Sequence, residues 1–252
     1  MPKNCLIIAH RGESFDAPEN TLAAVNLAWE RDADAVEIDV QLSKDQKIVV
    51  IHDENTKRTG GRRKLVKNQT LKELKELDVG IYKDKKWKGE KIPTLSEILE
   101  TVPNDKKLII ELKSDPQIIN ELKEEIHNSN LAIEQVEIIS FNILTVTMAK
   151  KVMPEHNVLW ISELDYSFLR RIFSPSVDKL ISDTIKNNLD GLDVWAGNMV
   201  DEKFVERIKS EDLMLYVWTV NDPNNAMWLK SIGIDGITTD RAQWIKNKTR
   251  IY

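Results

Sequence analysis

The sequence predicts an α/β fold, a TIM-like (β/α)8 barrel with a small basic insertion after the second strand and its hairpin extension. Three observations predict it. Short apolar runs alternate with helix-like stretches, the pattern of a parallel sheet with crossover helices. The length, 252 residues, suits one such barrel or two small domains and is enough to bury a substantial core. One pair of runs lies too close for a crossover and reads as a hairpin, which reduces nine strand-like runs to eight parallel strands.

The elements follow in order. The first run, 5–9, ends in His10-Arg11-Gly12, and a helix is predicted over 21–31. The second and third runs, 35–40 and 47–51, are separated only by Gln41 to Gln46, with Ser43-Lys44-Asp45-Gln46 as a turn-like centre. A parallel neighbour needs about a dozen connecting residues. The third run therefore folds back on the second and brings His52 opposite Glu37 to Asp39. Six further runs, 107–112, 135–140, 157–161, 190–194, 213–220 and 235–238, complete the barrel. Helices are expected at 117–129, 142–152, 178–188, 201–210, 223–231 and 241–247. No linker, low-complexity tract or internal repeat interrupts the chain, so 1–252 reads as one domain. Segment 54–91, long, basic and glycine-broken, reads as a small cap inserted on it.

Composition narrows the function classes. Hydrophobic residues make up 41% and charged residues 31%, and no apolar run approaches the ~18 residues of a membrane helix, so stable membrane insertion is not expected. The apolar run at the N-terminus is too short for a signal peptide. Cys5 is the only cysteine, which excludes an intrachain disulfide and favours a reducing, cytoplasmic setting. Asn68-Gln69-Thr70 and Asn247-Lys248-Thr249 fit the glycosylation pattern but, without a secretory signal, read as chance. A net charge of -5 argues against general nucleic-acid binding. Residues 54–91 nevertheless hold 13 Lys or Arg against 6 Asp or Glu, a local +7 that leaves -12 for the rest. Such a run is a solvated surface, or a basic cap that attracts an anionic substrate.

The chemistry lies at strand ends. In Val36-Glu37-Ile38-Asp39-Val40, alternation points Glu37 and Asp39 to one side, roughly 7 Å apart at ~3.3 Å per residue, while the three apolar residues pack outward. In 107–113, Leu108, Ile110 and Leu112 face one way, and Glu111 and Lys113 the other. Three carboxylates aimed into one barrel are costly unless neutralised, and a hard divalent cation with oxygen ligands does this. His10, Arg11, Glu37, Asp39, Glu111 and Lys113 all fall at C-terminal strand ends, where barrels collect reactive groups. Each feature alone has a plain structural reading: a half-exposed strand, a salt bridge, a satisfied histidine. Their joint placement beside His52 favours a site. His127 and His156 fall in helical or loop positions and read as surface residues.

These residues carry a resemblance that runs through essentially the whole chain. His10-Arg11-Gly12, Pro18-Glu19-Asn20-Thr21, Glu37-Ile38-Asp39-Val40 and Val49-Val50-Ile51-His52-Asp53 resemble, in order, the signatures of the glycerophosphodiester phosphodiesterase family. So do Ile92-Pro93-Thr94-Leu95, Glu111-Leu112-Lys113, Ser140-Phe141, Val217-Trp218-Thr219-Val220-Asn221 and Asp235-Gly236-Ile237-Thr238-Thr239-Asp240. Asp32-Ala33-Asp34 departs from the family's Gly-Ala-Asp and Asp45-Gln46 from its Asp-Gly; both changes fall in turns. The insertion is short, which suggests a small cap and an open site.

The resemblance implies roles. Glu37, Asp39 and Glu111 would hold the metal, Mg²⁺ first and Ca²⁺ as the alternative, since carboxylate oxygens suit hard ions. Arg11 and Lys113 would clamp the phosphate. His10 and His52 would be the acid/base pair, and Trp218 and Phe141 would border the substrate. The implied reaction cleaves a small-molecule glycerophosphodiester to glycerol phosphate and an alcohol. Water or the neighbouring glycerol hydroxyl would be the nucleophile. In Pro18-Glu19-Asn20-Thr21, Asn20 or Thr21 can also simply cap the following helix. Trp160, Trp195 and Trp218, at three successive strand ends, are packing at the barrel mouth or an apolar wall for an organic headgroup. Three rivals stand against this reading. A histidine-liganded barrel metallohydrolase would want His-x-His, and none of the four histidines is so spaced. A related barrel phospholipase, including lysophospholipase D, shares the catalytic set, but a long apolar cap would mark it. A non-catalytic binding module would have lost a histidine or a metal carboxylate.

Overall fold

Strands β1 (Leu6–His10), β2 (Ala35–Leu42), β4 (Lys107–Leu112), β5 (Val136–Ser140), β6 (Asn157–Ser162), β7 (Gly191–Trp195), β8 (Met214–Trp218) and β9 (Gly236–Thr239) form a closed parallel barrel, and β3 (Ile48–Val50) is appended to it. The computed structural model describes residues 5–163 and 176–249. Neighbours run β1-β9-β8-β7-β6-β5-β4-β2, and β1 pairs with β2 to close the ring. The lower part of β2 pairs with β1 (His10 opposite Glu37), and its upper part pairs antiparallel with β3 (Val40 opposite Val50). The hairpin expected from the short 41–46 connection is therefore present. It continues one step further where the Ile51 amide donates to the Asp39 carbonyl at 2.9 Å.

Alternation sorts the side chains. Val36, Ile38, Val40, Leu108, Ile110 and Leu112 face outward into the core shared with the helices. Ile8, Ala35, Ile109, Ile139, Leu159, Ile161 and Tyr216 fill the barrel interior. Each large aliphatic side chain so buried contributes about 1.5–3 kcal/mol. The surrounding helices are α1 (Leu22–Glu30), α4 (Leu95–Leu99), α5 (Ile119–His127), α6 (Ile143–Val152), α7 (Val177–Lys186), α8 (Glu202–Lys209), α9 (Pro223–Ser231) and α10 (Ala242–Lys248), with α2 (Lys57–Gly60) and α3 (Leu71–Lys75) in segment 54–91. Helices α3 and α4 lie outside the stretches expected to be helical. Both start in a capping box, Thr70 with Glu73 and Thr94 with Glu97. That Thr-x-x-Glu spacing was readable in the chain.

Segment 54–91 turns four of its apolar residues inward and leaves Ile81 and Tyr82 exposed. Val66, Leu74, Leu77 and Val79 pack with Val49, Ile51 and Ile92, so this segment is packed on the hairpin. Trp87 ties it to the β1–α1 loop, its Nε1 donating to the Asp16 carbonyl at 3.2 Å. Asp32 and Gln46, which depart from the glycine of the signatures this sequence resembles, keep left-handed backbone at φ 59° and 58°. The turns are thus preserved at the steric cost of a Cβ.

His156 corrects an expectation. It is buried at 5% exposure, and its Nδ1 lies 3.2 Å from the carbonyls of Ile133 and Val136. The residue immediately precedes β6, where the chain enters the sheet beside β5, and its ring satisfies carbonyls there instead of meeting solvent. His127, at the end of α5, is exposed as expected.

Candidate active site

The turn after β1 shapes one wall. Arg11 and Gly12 both take positive φ, 55° and 78°, and a Cβ on Gly12 would lie 2.5 Å from the Ala24 backbone. Only glycine lets the loop rest on α1 this closely. In this turn the Arg11 amide donates to Glu37 Oε2 at 2.9 Å, while its guanidinium meets Asp39 Oδ2 at 3.1 Å and Glu19 Oε1 at 2.8 Å.

Glu37, Asp39 and Glu111 are all buried, and one ligand atom from each lies within 4.8 Å of the others. Lys113 stands over them, its Nζ 3.1 Å from Asp39 Oδ1 and 2.6 Å from Glu111 Oε1. Glu37 Oε1 is buried without a hydrogen-bond partner among the described residues, and Asp39 Oδ1 and Glu111 Oε1, equally buried, are ion-paired to Lys113. The three acids do not share one fate. Burial first, then the charges of Asp39 and Glu111, push Glu37 well above the usual carboxylate range. Burial and Asp39 push Glu111 upward too. Burial also opposes ionisation of Asp39, but Lys113, Arg11 and His52 outweigh it and hold that carboxylate low. For Lys113, burial works against the charge, and Asp39 and Glu111 reverse it.

The two histidines flank this cluster, each oriented by an aspartate. His10 Nδ1 lies 2.7 Å from Asp240 Oδ1, and His52 Nδ1 lies 2.8 Å from Asp53 Oδ1. A carboxylate can only accept, so Nδ1 carries the proton and Nε2 is the nitrogen available to a ligand. Asn221 steadies Asp240 (Nδ2 to Oδ2, 2.7 Å), and hydrogen bonds from His10 and Asn221 hold it down to about 2 against burial. Burial lowers the His52 pKa, against the pull of Asp39.

A cavity of about 220 Å³ joins these groups. His10, Arg11, Glu37, His52, Glu111 and Lys113 line its polar side; Ile139, Phe141, Ile161 and Trp218 line its apolar side. Asp39 sits beneath, fully buried. Eight of the nine residues singled out in the sequence thus border one cavity, and the ninth braces it. Phe141 and Trp218 meet edge to face at 5.7 Å, and Lys113 Nζ lies 5.7 Å from the centre of the Phe141 ring.

The tryptophan wall does not form. Leu159 and Ile161 face inward, so alternation turns Trp160 outward, where its Nε1 donates to the Phe141 carbonyl at 3.1 Å. Trp195, the last residue of β7, is 40% exposed, and its ring lies against Gly197. Of the three, Trp218 reaches the cavity.

Several site residues were not singled out in the sequence. Asn20 clasps Asp39 from both sides, its Nδ2 donating to Oδ2 at 2.7 Å and its Oδ1 accepting from the Asp39 amide at 3.1 Å. Thr21 caps α1, which frees Asn20 for this task. Asp193 projects from β7 into the cavity. Arg58 of the cap holds both Asp53 and Glu19. The inward position of Asp193 was readable from the alternation of Leu192 and Val194; the Arg58 contacts, which depend on how the cap folds over the barrel, were not.

Comparison with known proteins agrees with this geometry. Residues 10–243 match the glycerophosphoryl diester phosphodiesterase family. A glycerophosphodiester phosphodiesterase of Caldanaerobacter subterraneus subsp. tengcongensis is 35% identical over 250 residues, covering 97% of this chain and 98% of its own. A phosphodiesterase of Oleispira antarctica, solved in complex with the product sn-glycerol-3-phosphate, superposes with a TM-score of 0.84 at 30% identity over 96% of each chain. A glycerophosphodiester phosphodiesterase of Thermotoga maritima gives 0.77 at 29% identity, over 97% of this chain and 98% of that one. The barrel, the ordered motifs and these likenesses together place the chain in the glycerophosphodiester phosphodiesterase family.

Proposed function

We propose that this protein hydrolyses small glycerophosphodiesters to glycerol phosphate and an alcohol, with His10 and His52 as the acid/base pair and a divalent cation held by Glu37, Asp39 and Glu111. The observation that carries the reading is the pair of aspartate-held histidines on either side of a buried carboxylate triad, around one cavity. The donor set fits a hard divalent ion, Mg²⁺ or otherwise Ca²⁺: three carboxylates, no sulfur, and a buried Glu37 Oε1 without a hydrogen-bond partner among the described residues. Such an ion, when bound, supplies charge neutralisation at the phosphoryl oxygens.

The chain's own residues do the rest. Arg11 and Lys113 present guanidinium and ammonium groups to the cavity and attract the phosphate diester. One histidine, neutral with its Nε2 free, takes the proton of the attacking hydroxyl. The other, protonated, gives a proton to the leaving alkoxide. Ile139, Phe141, Ile161 and Trp218 add apolar wall to the cavity, which strengthens the electrostatic contacts beside it. We assign segment 54–91 the role of a basic cap, since it brings Arg58 and Lys83 to the mouth. Among the described residues no helix is long and apolar enough to cross a membrane. A cytoplasmic setting, supported by the single cysteine, belongs to the same proposal.

The test is a panel of glycerophosphocholine, -ethanolamine, -inositol and -glycerol with lysolipids, scored by release of glycerol phosphate. Turnover of the glycerophosphodiesters supports the reading. Turnover confined to lysolipids would replace it with a phospholipase, and none at all would remove it.

A further inference from the structure

Asp193 is the one carboxylate at the cavity that the proposed mechanism does not use. It is 4% exposed, its Oδ1 is buried without a hydrogen-bond partner among the described residues, and it lines the same cavity as Glu111 and Lys113. It belongs to a different part of the barrel. It sits on β7, paired with Ile161 of β6 and Tyr216 of β8, whereas the triad comes from β2 and β4. Nor is it among the acids whose ligand atoms gather within 4.8 Å. Its neighbours on the cavity wall, Ile161 and Trp218, are apolar, and Thr238 of β9 adds a hydroxyl-bearing side chain. A buried carboxyl without a partner is costly. It persists at a cavity wall most readily when a ligand completes it.

We propose that Asp193, with Thr238, is the specificity element that hydrogen-bonds the free hydroxyls of the glycerol half of the substrate. This rests on the functional reading above. In that reading, glycerol phosphate is the constant half of every substrate and the alcohol is the variable half. The constant half fits beside Asp193 and Thr238, on the wall formed by β7 and β9. The variable half fits the open side, where His10 and Arg11 also border a second hollow of about 240 Å³. A vicinal diol offers two donors and acceptors to Asp193 and Thr238, beside the apolar Ile161 and Trp218. Asp193 accepts from such hydroxyls and also donates when protonated, the state that burial favours. A site built to hydrogen-bond a hydroxyl discriminates strongly against an analogue that lacks it.

The experiment compares binding of sn-glycerol 3-phosphate and propyl phosphate, which share length and phosphate but differ in the hydroxyls, by calorimetry on the parent, Asp193→Asn and Asp193→Leu. The parent should prefer glycerol phosphate by at least ~10-fold, and Asp193→Leu should bring the ratio near one through loss on glycerol phosphate, the scale of one buried polar partner. Asp193→Asn, which keeps shape and hydrogen bonding, should fall between and confirms that a folded site is being read. Equal weakening of both ligands, or an unchanged ratio in Asp193→Leu, would overturn the assignment. Hydrolysis of glycerophosphocholine by the same parent preparation separates the two ideas. A parent that turns it over while Asp193→Leu keeps the preference loses only the Asp193 proposal. A parent without turnover loses the functional reading, and the proposal with it.

Discussion

Arg58 grips Asp53 through two hydrogen bonds, Nε to Oδ2 at 2.8 Å and Nη2 to Oδ1 at 3.0 Å, and the same guanidinium reaches Glu19 at 2.5 and 2.8 Å. Asp53 in turn holds His52, and Glu19 holds Arg11. One cap residue therefore braces a proposed acid/base group and a proposed phosphate clamp. The bond from Arg58, ahead of that from His52, keeps Asp53 down to about 2. Arg58→Lys cannot reproduce the fork. Turnover should fall about 10-fold in Arg58→Lys and further in Arg58→Ala, on the scale of outer-shell partners. Removal of the guanidinium also leaves Asp53 unshared beside His52, so the acidic limb of the kcat/KM–pH profile should move to higher pH. An unmoved profile with full turnover would free the cap from any part in the site.

His10→Ala and His52→Ala should each lower turnover by at least ~10²-fold with the fold intact by circular dichroism, the usual scale for positioned acid/base groups. Asp240→Asn should cost less than His10→Ala, because it disturbs the orientation of the ring and leaves the ring in place. Equal activity of either histidine variant and the parent would remove that histidine from the mechanism.

Most of the barrel and the polar half of the site were legible because they rest on local rules. Period-two alternation placed Glu37, Asp39 and Glu111 inside, and the short 41–46 connection brought His52 back to them. The same rule, applied to Leu159-Trp160-Ile161, would have turned Trp160 outward and dissolved the tryptophan wall. What stayed hidden depends on distant partners. Asp240 meets His10 across 230 positions, and Asn20 has an equally good local reading as a cap. His156 looked exposed because a loop histidine usually is; the carbonyls that bury it belong to residues about twenty positions away.

Asn20 should matter for stability and metal affinity together. Asn20→Leu strips the buried Asp39 carboxylate of one hydrogen bond and the Asp39 amide of its acceptor. A loss of about 1–3 kcal/mol is expected in denaturant unfolding. Metal affinity measured by titration should fall about 10–100-fold, the effect of losing a group that orients a ligand. Asn20→Asp should be worse, since it sets a second negative charge against Asp39. A variant with unchanged unfolding and metal titration would reduce Asn20 to a loop residue.

Acid should unfold the protein partly through Asp240 and Asp53. Each has its folded pKa lowered from 3.8 to about 2, Asp240 by His10 and Asn221 against burial, Asp53 chiefly by Arg58. A depressed carboxylate pKa contributes stability that is present above the unfolded value and lost as pH falls through the folded one. Unfolding free energy should therefore drop between about pH 4 and pH 2. In Asp240→Asn the slope over that window should flatten, although overall stability is lower. A parallel slope in the variant would show that other acids carry the transition.

The carboxylate triad should respond oppositely at its three positions when no ion is bound. Burial and mutual repulsion raise Glu37 and Glu111, while Lys113 and Arg11 hold Asp39 low. A raised carboxylate pKa costs stability as pH climbs from the unfolded value through the folded one, which for Glu111 is about 7 against 4.5. Metal-free protein should accordingly lose thermal stability from about pH 4.5 to 7, and Mg²⁺ or Ca²⁺ should restore it. Glu37→Gln and Glu111→Gln should each raise the Tm of the metal-free protein at pH 8, because each removes a charge that the fold disfavours. Asp39→Asn should lower it, because Arg11 and Lys113 then lose the anion that pairs them. All three should lose turnover and the metal-induced gain in Tm, and chelation of the parent should abolish turnover reversibly. Full activity after exhaustive chelation, or a Tm that ignores Mg²⁺ and Ca²⁺, would sink the metal assignment and with it the common role given to these acids.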